Sequence, residues 1–141
     1  MRPGRIMSRA AFLPVLSLHL VFLLASCGES ADPGAAPTVT TLTATGVGPT
    51  GATVNGNVNP NGLATDAWFE WGTSPDLATF VTSPVQAMGA GTDPLPVMAT
   101  LSGLASGTAY SYRVAASNAT GTAKGAIARF TTASPLVCAA P

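Results

Sequence analysis

After Cys27 the sequence never sustains the 3.6-residue apolar spacing of an amphipathic helix. Short β-branched runs alternate instead with clusters of glycine, proline and asparagine. That pattern restricts the chain to short strands and tight turns. Thr38–Ala44 is a β-branched run and Gly46–Gly51 a turn. Ala52–Val58 alternates small or apolar residues with polar ones, and Asn59-Pro60-Asn61-Gly62 is a strong turn signal. Ala67–Trp71 predicts an aromatic strand closed by Gly72, and Phe80–Thr82 a short edge strand. Pro84–Pro96 holds Gly89, Gly91, Pro94 and Pro96 and reads as loop. Val97–Leu101, Ala109–Asn118 and Ala126–Thr132 complete a set of seven strands. The segments do not repeat, which excludes solenoids and propellers.

A single open sheet would leave one apolar face wet, so the strands must form two packed sheets. Period-two alternation then sorts the side chains. Tyr110, Tyr112, Val114 and Ala116 share one face of their strand, and Ala67, Phe69 and Trp71 one face of theirs. Trp68 and Glu70 lie opposite. In the last strand Ala126, Ala128 and Phe130 are expected to face in, with Ile127 and Arg129 out.

The run Leu104-Ala-Ser-Gly-Thr-Ala-Tyr110-Ser-Tyr112-Arg-Val114-Ala-Ala116-Ser-Asn118, followed by Gly121, resembles the sixth-strand signature of fibronectin type III domains. Phe69-Glu70-Trp71-Gly72 is similar to the third strand of that family and Arg129-Phe-Thr-Thr132 to the last. The Asn55–Gly62 wording looks like a bacterial subgroup. The resemblance covers residues 37–133 and implies an all-β, seven-stranded sandwich. It also implies that Tyr110 is a corner tyrosine whose hydroxyl bonds back to the chain near Leu104. One departure stands out: the second-strand tryptophan common in animal modules is missing, and Gly56 sits near its place. Trp71 and Phe69 are expected to fill the core instead.

The first segment reads as an address. Met1–Arg9 carries three arginines and no acid, Ala10–Ser26 is almost wholly apolar, and Leu24-Ala25-Ser26-Cys27 follows. That run resembles a bacterial lipobox, which implies a signal peptide over residues 1–26, cleavage before Cys27 and acylation of its thiol. The apolar run, seventeen residues long, would span roughly 25 Å as a helix, short of the ~30 Å hydrocarbon core. Residues 27–36 are expected to be a flexible tether and residues 134–141 a C-terminal tail. Gly28, rather than Asp, after the lipid-bearing residue implies the outer membrane by the same resemblance.

With the leader removed, Arg113, Lys124 and Arg129 face Glu29, Asp32, Asp66, Glu70, Asp76 and Asp93, three bases against six acids and a balance of −3. That leaves no basic stripe for nucleic acid. The one histidine, His19, lies in the leader, so the mature chain carries no imidazole for a triad or a zinc site. No cofactor motif, metal-ligand spacing or catalytic pair emerges, and the chain is expected not to be an enzyme. An odd number of antiparallel strands puts the ends of the domain at opposite poles, which disfavours a Cys27–Cys138 disulfide. The Asn59–Gly62 and Asn118–Gly125 turns are expected at the N-terminal pole. Asn118-Ala-Thr120 matches a glycosylation sequon, which turn chemistry explains better.

Trp68, Glu70, Arg113 and Arg129 are expected side by side on the outer face of the sheet carrying the third, sixth and last strands. They form a candidate binding face or, on the plainer reading, a self-satisfied ladder with Arg113 over Trp68 and against Glu70. The resulting expectation is a lipid-anchored, non-catalytic module that meets a protein or a glycan. A ligand-free spacer, or an accessory domain of an envelope enzyme complex, is the alternative.

Overall fold

A computed structural model describes residues 34–135. Within them the chain forms nine strands and no helix: β1 (Thr38–Thr45), β2 (Gly51–Asn59), β3 (Thr65–Gly72), β4 (Val81–Thr82), β5 (Gln86–Gly89), β6 (Leu95–Ser102), β7 (Ala109–Ser117), β8 (Thr122–Lys124) and β9 (Ala128–Thr131). All pairings are antiparallel. One sheet has the order β1-β2-β6. In the other, β3 and β7 are central, β4 and β5 both line the outer edge of β3, and β8 and β9 both line the outer edge of β7. The sheets close on a core of Val54, Val58, Ala67, Phe69, Val97, Leu101, Leu104, Tyr110, Tyr112, Val114 and Phe130, among others.

The count is nine rather than seven because two edge strands are interrupted, each for a visible reason. On the β3 edge, Ser83 N–H still donates to Phe69 O at 2.9 Å and Ser83 Oγ accepts from Phe69 N–H at 2.9 Å. Pro84 then has no N–H to offer, and the ladder resumes one residue out of step at Gln86. The segment expected to be loop, Pro84–Pro96, therefore contains β5 and the start of β6. Pro96 is accommodated because β6 is an edge strand.

The other break is a bulge. Ala115 pairs with Lys124, but Tyr112 pairs with Ala128, so one extra residue lies between. Gly125 N–H donates to Val114 O at 2.8 Å. The Val114 N–H is met by Thr41 Oγ1 of β1 at 3.3 Å. A Cβ on Gly125 would collide with that hydroxyl. The slipped register keeps Ala128 and Phe130 inward but turns Ala126 out to solvent, against the expectation of an unbroken strand.

The missing second-strand tryptophan also has its reason. Gly56 lies under Val114 of the facing sheet, and a Cβ there would come within 3.1 Å of both Val114 Cβ and Thr40 O. The sheets approach too closely at this point for any ring. Phe69 and Tyr112 are fully buried in the core, while Trp71 is only half-buried at its margin. Tyr112 reaches across the sandwich to donate to Leu42 O at 2.6 Å. Burial pushes its hydroxyl pKa up.

The corner between β6 and β7 forms as the resemblance implied. Tyr110 Oη accepts from Ala105 N–H at 2.9 Å. Buried Thr132 ties the same corner to the chain end, donating to Ala105 O at 2.6 Å and accepting from Thr108 N–H at 2.9 Å. Ala133 N–H donates to Gly48 O at 3.1 Å, so the chain leaves beside the β1–β2 turn.

Candidate functional site

β3 and β7 run antiparallel in a register that sets Glu70 opposite Arg113 and Trp68 opposite Ala115. β9 sets Arg129 opposite Ser111. Alternation sends Trp68, Glu70, Arg113 and Arg129 to the outer face, as the sequence predicts. There the four do not form an open patch.

Glu70 accepts from Arg113 Nε at 2.7 Å and pairs with Arg113 Nη2 at 2.7 Å through Oε2. Its Oε1 pairs with Lys124 Nζ at 2.7 Å. The Glu70 side chain is only 3% exposed, against 19% for Arg113 and 41% for Lys124. Burial alone would raise its pKa. Hydrogen bonds from Lys124 and Arg113, and the charges behind them, outweigh that and hold the carboxyl below its ordinary range.

The connection from β3 to β4 shields part of this face. Leu77, at φ 54°, is buried at 3% and is not part of the main core. Ser74 Oγ and the Ala78 N–H both donate to Asp76 Oδ1, at 2.6 and 3.0 Å, which fixes the turn and lowers the Asp76 pKa. Arg129 Nη2 donates to Pro75 O at 2.9 Å, so this guanidinium holds the loop. The cation resting on a ring is Lys124, 5.4 Å from the Phe80 centroid, not Arg113 on Trp68. Trp68 is half-buried. Lys124 and Phe80 were not singled out in the sequence. Lys124 sits two residues before the expected last strand, in the stretch that the bulge sets out of step.

At the base of the same loop lies an open groove of about 330 Å³, lined by Trp71, Gly72, Thr73, Thr79, Phe80, Val81 and Tyr110. The Trp71 and Tyr110 rings are 6.0 Å apart and tilted by 55°, and Phe80 is 42% exposed. Gly72 lets the returning strand fold close, since a Cβ there would lie 3.0 Å from Thr79 O. Among the described residues no group of three or more His, Cys, Asp and Glu gathers at metal-binding distance. Cys27 and Cys138 lie outside the described residues.

No protein-family model matches the chain, and no curated protein matches it in sequence. Solved structures do match. A shorter form of the sensor domain of the anti-sigma factor RsgI4 in Pseudobacteroides cellulosolvens aligns at 15% identity and TM-score 0.58, over 70% of this chain and 96% of that one. This chain shares that domain's fold. A longer form of the same sensor domain aligns at 15% identity and TM-score 0.57, over 74% of this chain and 97% of that one. The neighbours also include fibronectin type III domains, among them that of the human KIAA0970 protein, at 14% identity and TM-score 0.49, over 71% of this chain and 77% of that one.

Proposed function

We propose that this chain is a non-catalytic binding module, held to the outer membrane by a lipid on Cys27. In this reading it meets a protein or glycan partner through the groove of Trp71, Phe80 and Tyr110. The observation that carries the reading is the contrast between the two surfaces. On the outer face expected to bind, the charges of Glu70 and Arg113 are spent on each other and on Lys124, and Arg129 is spent on a loop carbonyl. The groove beside it keeps aromatic surface open to solvent, the composition of a small recognition site. The shared fold with a bacterial sensor domain supports a recognition role. The Leu24–Cys27 run supports the anchor. A ligand-free spacer is the second reading, favoured by how completely the Glu70 cluster satisfies itself.

Two measurements test this. Cells fed a clickable fatty acid are expected to label the wild-type protein and not Cys27→Ser; label on Cys27→Ser overturns the anchor. Photo-crosslinking on intact cells, together with a glycan array, is expected to yield a partner that Phe80→Ala loses while its unfolding temperature stays within a few degrees. Equal capture by wild type and Phe80→Ala would remove the groove as the site. No capture at all would leave the spacer.

A further inference from the structure

Three consecutive backbone carbonyls at the start of the described chain are each held by a different side chain. Thr120 Oγ1 donates to Gly34 O at 2.7 Å, Asn118 Nδ2 to Ala35 O at 2.9 Å and Asn61 Nδ2 to Ala36 O at 2.7 Å. The holders come from two turns that are themselves fixed. Asn61 N–H donates to Asn59 Oδ1 at 2.9 Å. Asn118 Oδ1 accepts from the N–H groups of Thr120 and Gly121 at 2.9 and 3.2 Å. Asn118 Nδ2 also reaches Pro60 O at 3.3 Å, which joins the two turns. Gly34 is seated so closely that a Cβ would lie 2.6 Å from Asn61 O and 2.7 Å from Leu63 Cγ. The asparagine of the sequon is thus occupied as a clamp.

We infer that Gly34–Ala36 is a strap that fixes how the sandwich stands on its anchor. The pole built from the Asn59–Leu63, Gly91–Asp93 and Asn118–Gly121 turns then faces the lipid bilayer. The inference rests on the anchored reading of Cys27. With the strap seated, the stretch from Gly28 to Pro33 can span at most about 20 Å; with Gly34–Ala36 released, the stretch from Gly28 to Pro37 can span at most about 35 Å. Asp93 is the one charged side chain in those turns. Asp66 follows at the start of β3 and no base lies beside them, so it is the tether, and not charge attraction, that would bring the pole to the headgroups. β3 carries the chain from Thr65, beside this pole, to Gly72 at the groove, roughly 23 Å away. The strap therefore points the Trp71–Phe80–Tyr110 groove away from the bilayer, where a partner can reach it.

The test uses Asn61→Gly with Thr120→Val. Glycine suits the φ of 53° at residue 61, and valine keeps the shape of threonine. In solution, residues 28–141 carrying Cys138→Ser are labelled with nitroxides at Asp32→Cys and Ala64→Cys. Pulsed electron resonance is expected to give a narrow distance distribution that broadens in the double variant, with the unfolding temperature unchanged within a few degrees. A broad distribution with the strap residues intact overturns the strap. On liposomes, the lipidated protein with Cys138→Ser carries one fluorophore, at Ala119→Cys or Ser106→Cys. A headgroup quencher is expected to quench the Ala119 probe several-fold more, with the ratio falling toward one in the double variant. Equal quenching with the strap intact overturns the orientation. Failure of the protein to enter liposomes overturns the anchor, and the solution measurement still judges the strap.

Discussion

Glu70 shows how one residue's environment overrides its type. A carboxylate on an outward-facing strand position is ordinarily solvated, yet here it is buried against two cations, one of which, Lys124, also rests on the Phe80 ring. Its folded pKa lies below that of the unfolded chain, so its contribution to stability is present above the ordinary carboxylate pKa of ~4.3 and is lost as pH falls through the lower folded value. Glu70→Gln removes both ion pairs but keeps the shape, and is expected to cost about 2 kcal/mol at neutral pH. The difference between wild type and Glu70→Gln, followed by urea denaturation, should shrink as the pH is taken below 4. A gap that stays constant down to strongly acid pH would show that the ion pairs contribute nothing. Alternation along two strands places Glu70 and Arg113 on one outer face, and the register between the strands sets them opposite each other. The sequence missed Lys124 because a lysine beyond the expected start of a strand carries no sign of where its four-carbon stem will reach.

At the scale of the element, alternation was a sound guide only while a strand stayed unbroken. β2 and β7 followed it along their length, and Val54, Val58, Tyr110, Tyr112, Val114 and Ala116 all face the core. The last strand did not, because a bulge between Lys124 and Ala128 flips everything on one side of it. A bulge leaves little trace in a sequence beyond a glycine, and Gly125 reads equally well as a turn residue. What fixes it is Thr41 of the opposite sheet, eighty-four residues away. The contact between Gly56 and Val114 is tertiary in the same way. Gly56→Ala adds one methyl group where the sheets already touch, and is expected to cost about 1–3 kcal/mol by chemical denaturation. A neutral or stabilising result would mean that the sheets can part there without loss.

At the scale of the whole molecule, the two sheets close on one shared core, and the Glu70 ion pairs join strands of the same sheet. Residues 34–135, expressed alone, are expected to give β-type circular dichroism and one cooperative thermal transition. A helical spectrum would contradict the fold. Composition and periodicity determined by themselves that residues 37–133 form a two-sheet sandwich, because β-branched and aromatic period-two runs can bury their apolar faces in few other ways. Strand direction also places the Asn59–Gly62 turn and the turn that begins at Asn118 at the pole where the chain comes in, although the second turn ends at Gly121, before β8 begins at Thr122, and not at Gly125. Tertiary structure decided what those surfaces are. It covered part of the Trp68–Glu70–Arg113–Arg129 face with a loop and paired its charges, opened a groove of Trp71, Phe80 and Tyr110, and pinned Gly34–Ala36 to two distant turns. Each of these depends on side chains far apart in sequence meeting at contact distance, and local propensity and period carry no information about such meetings.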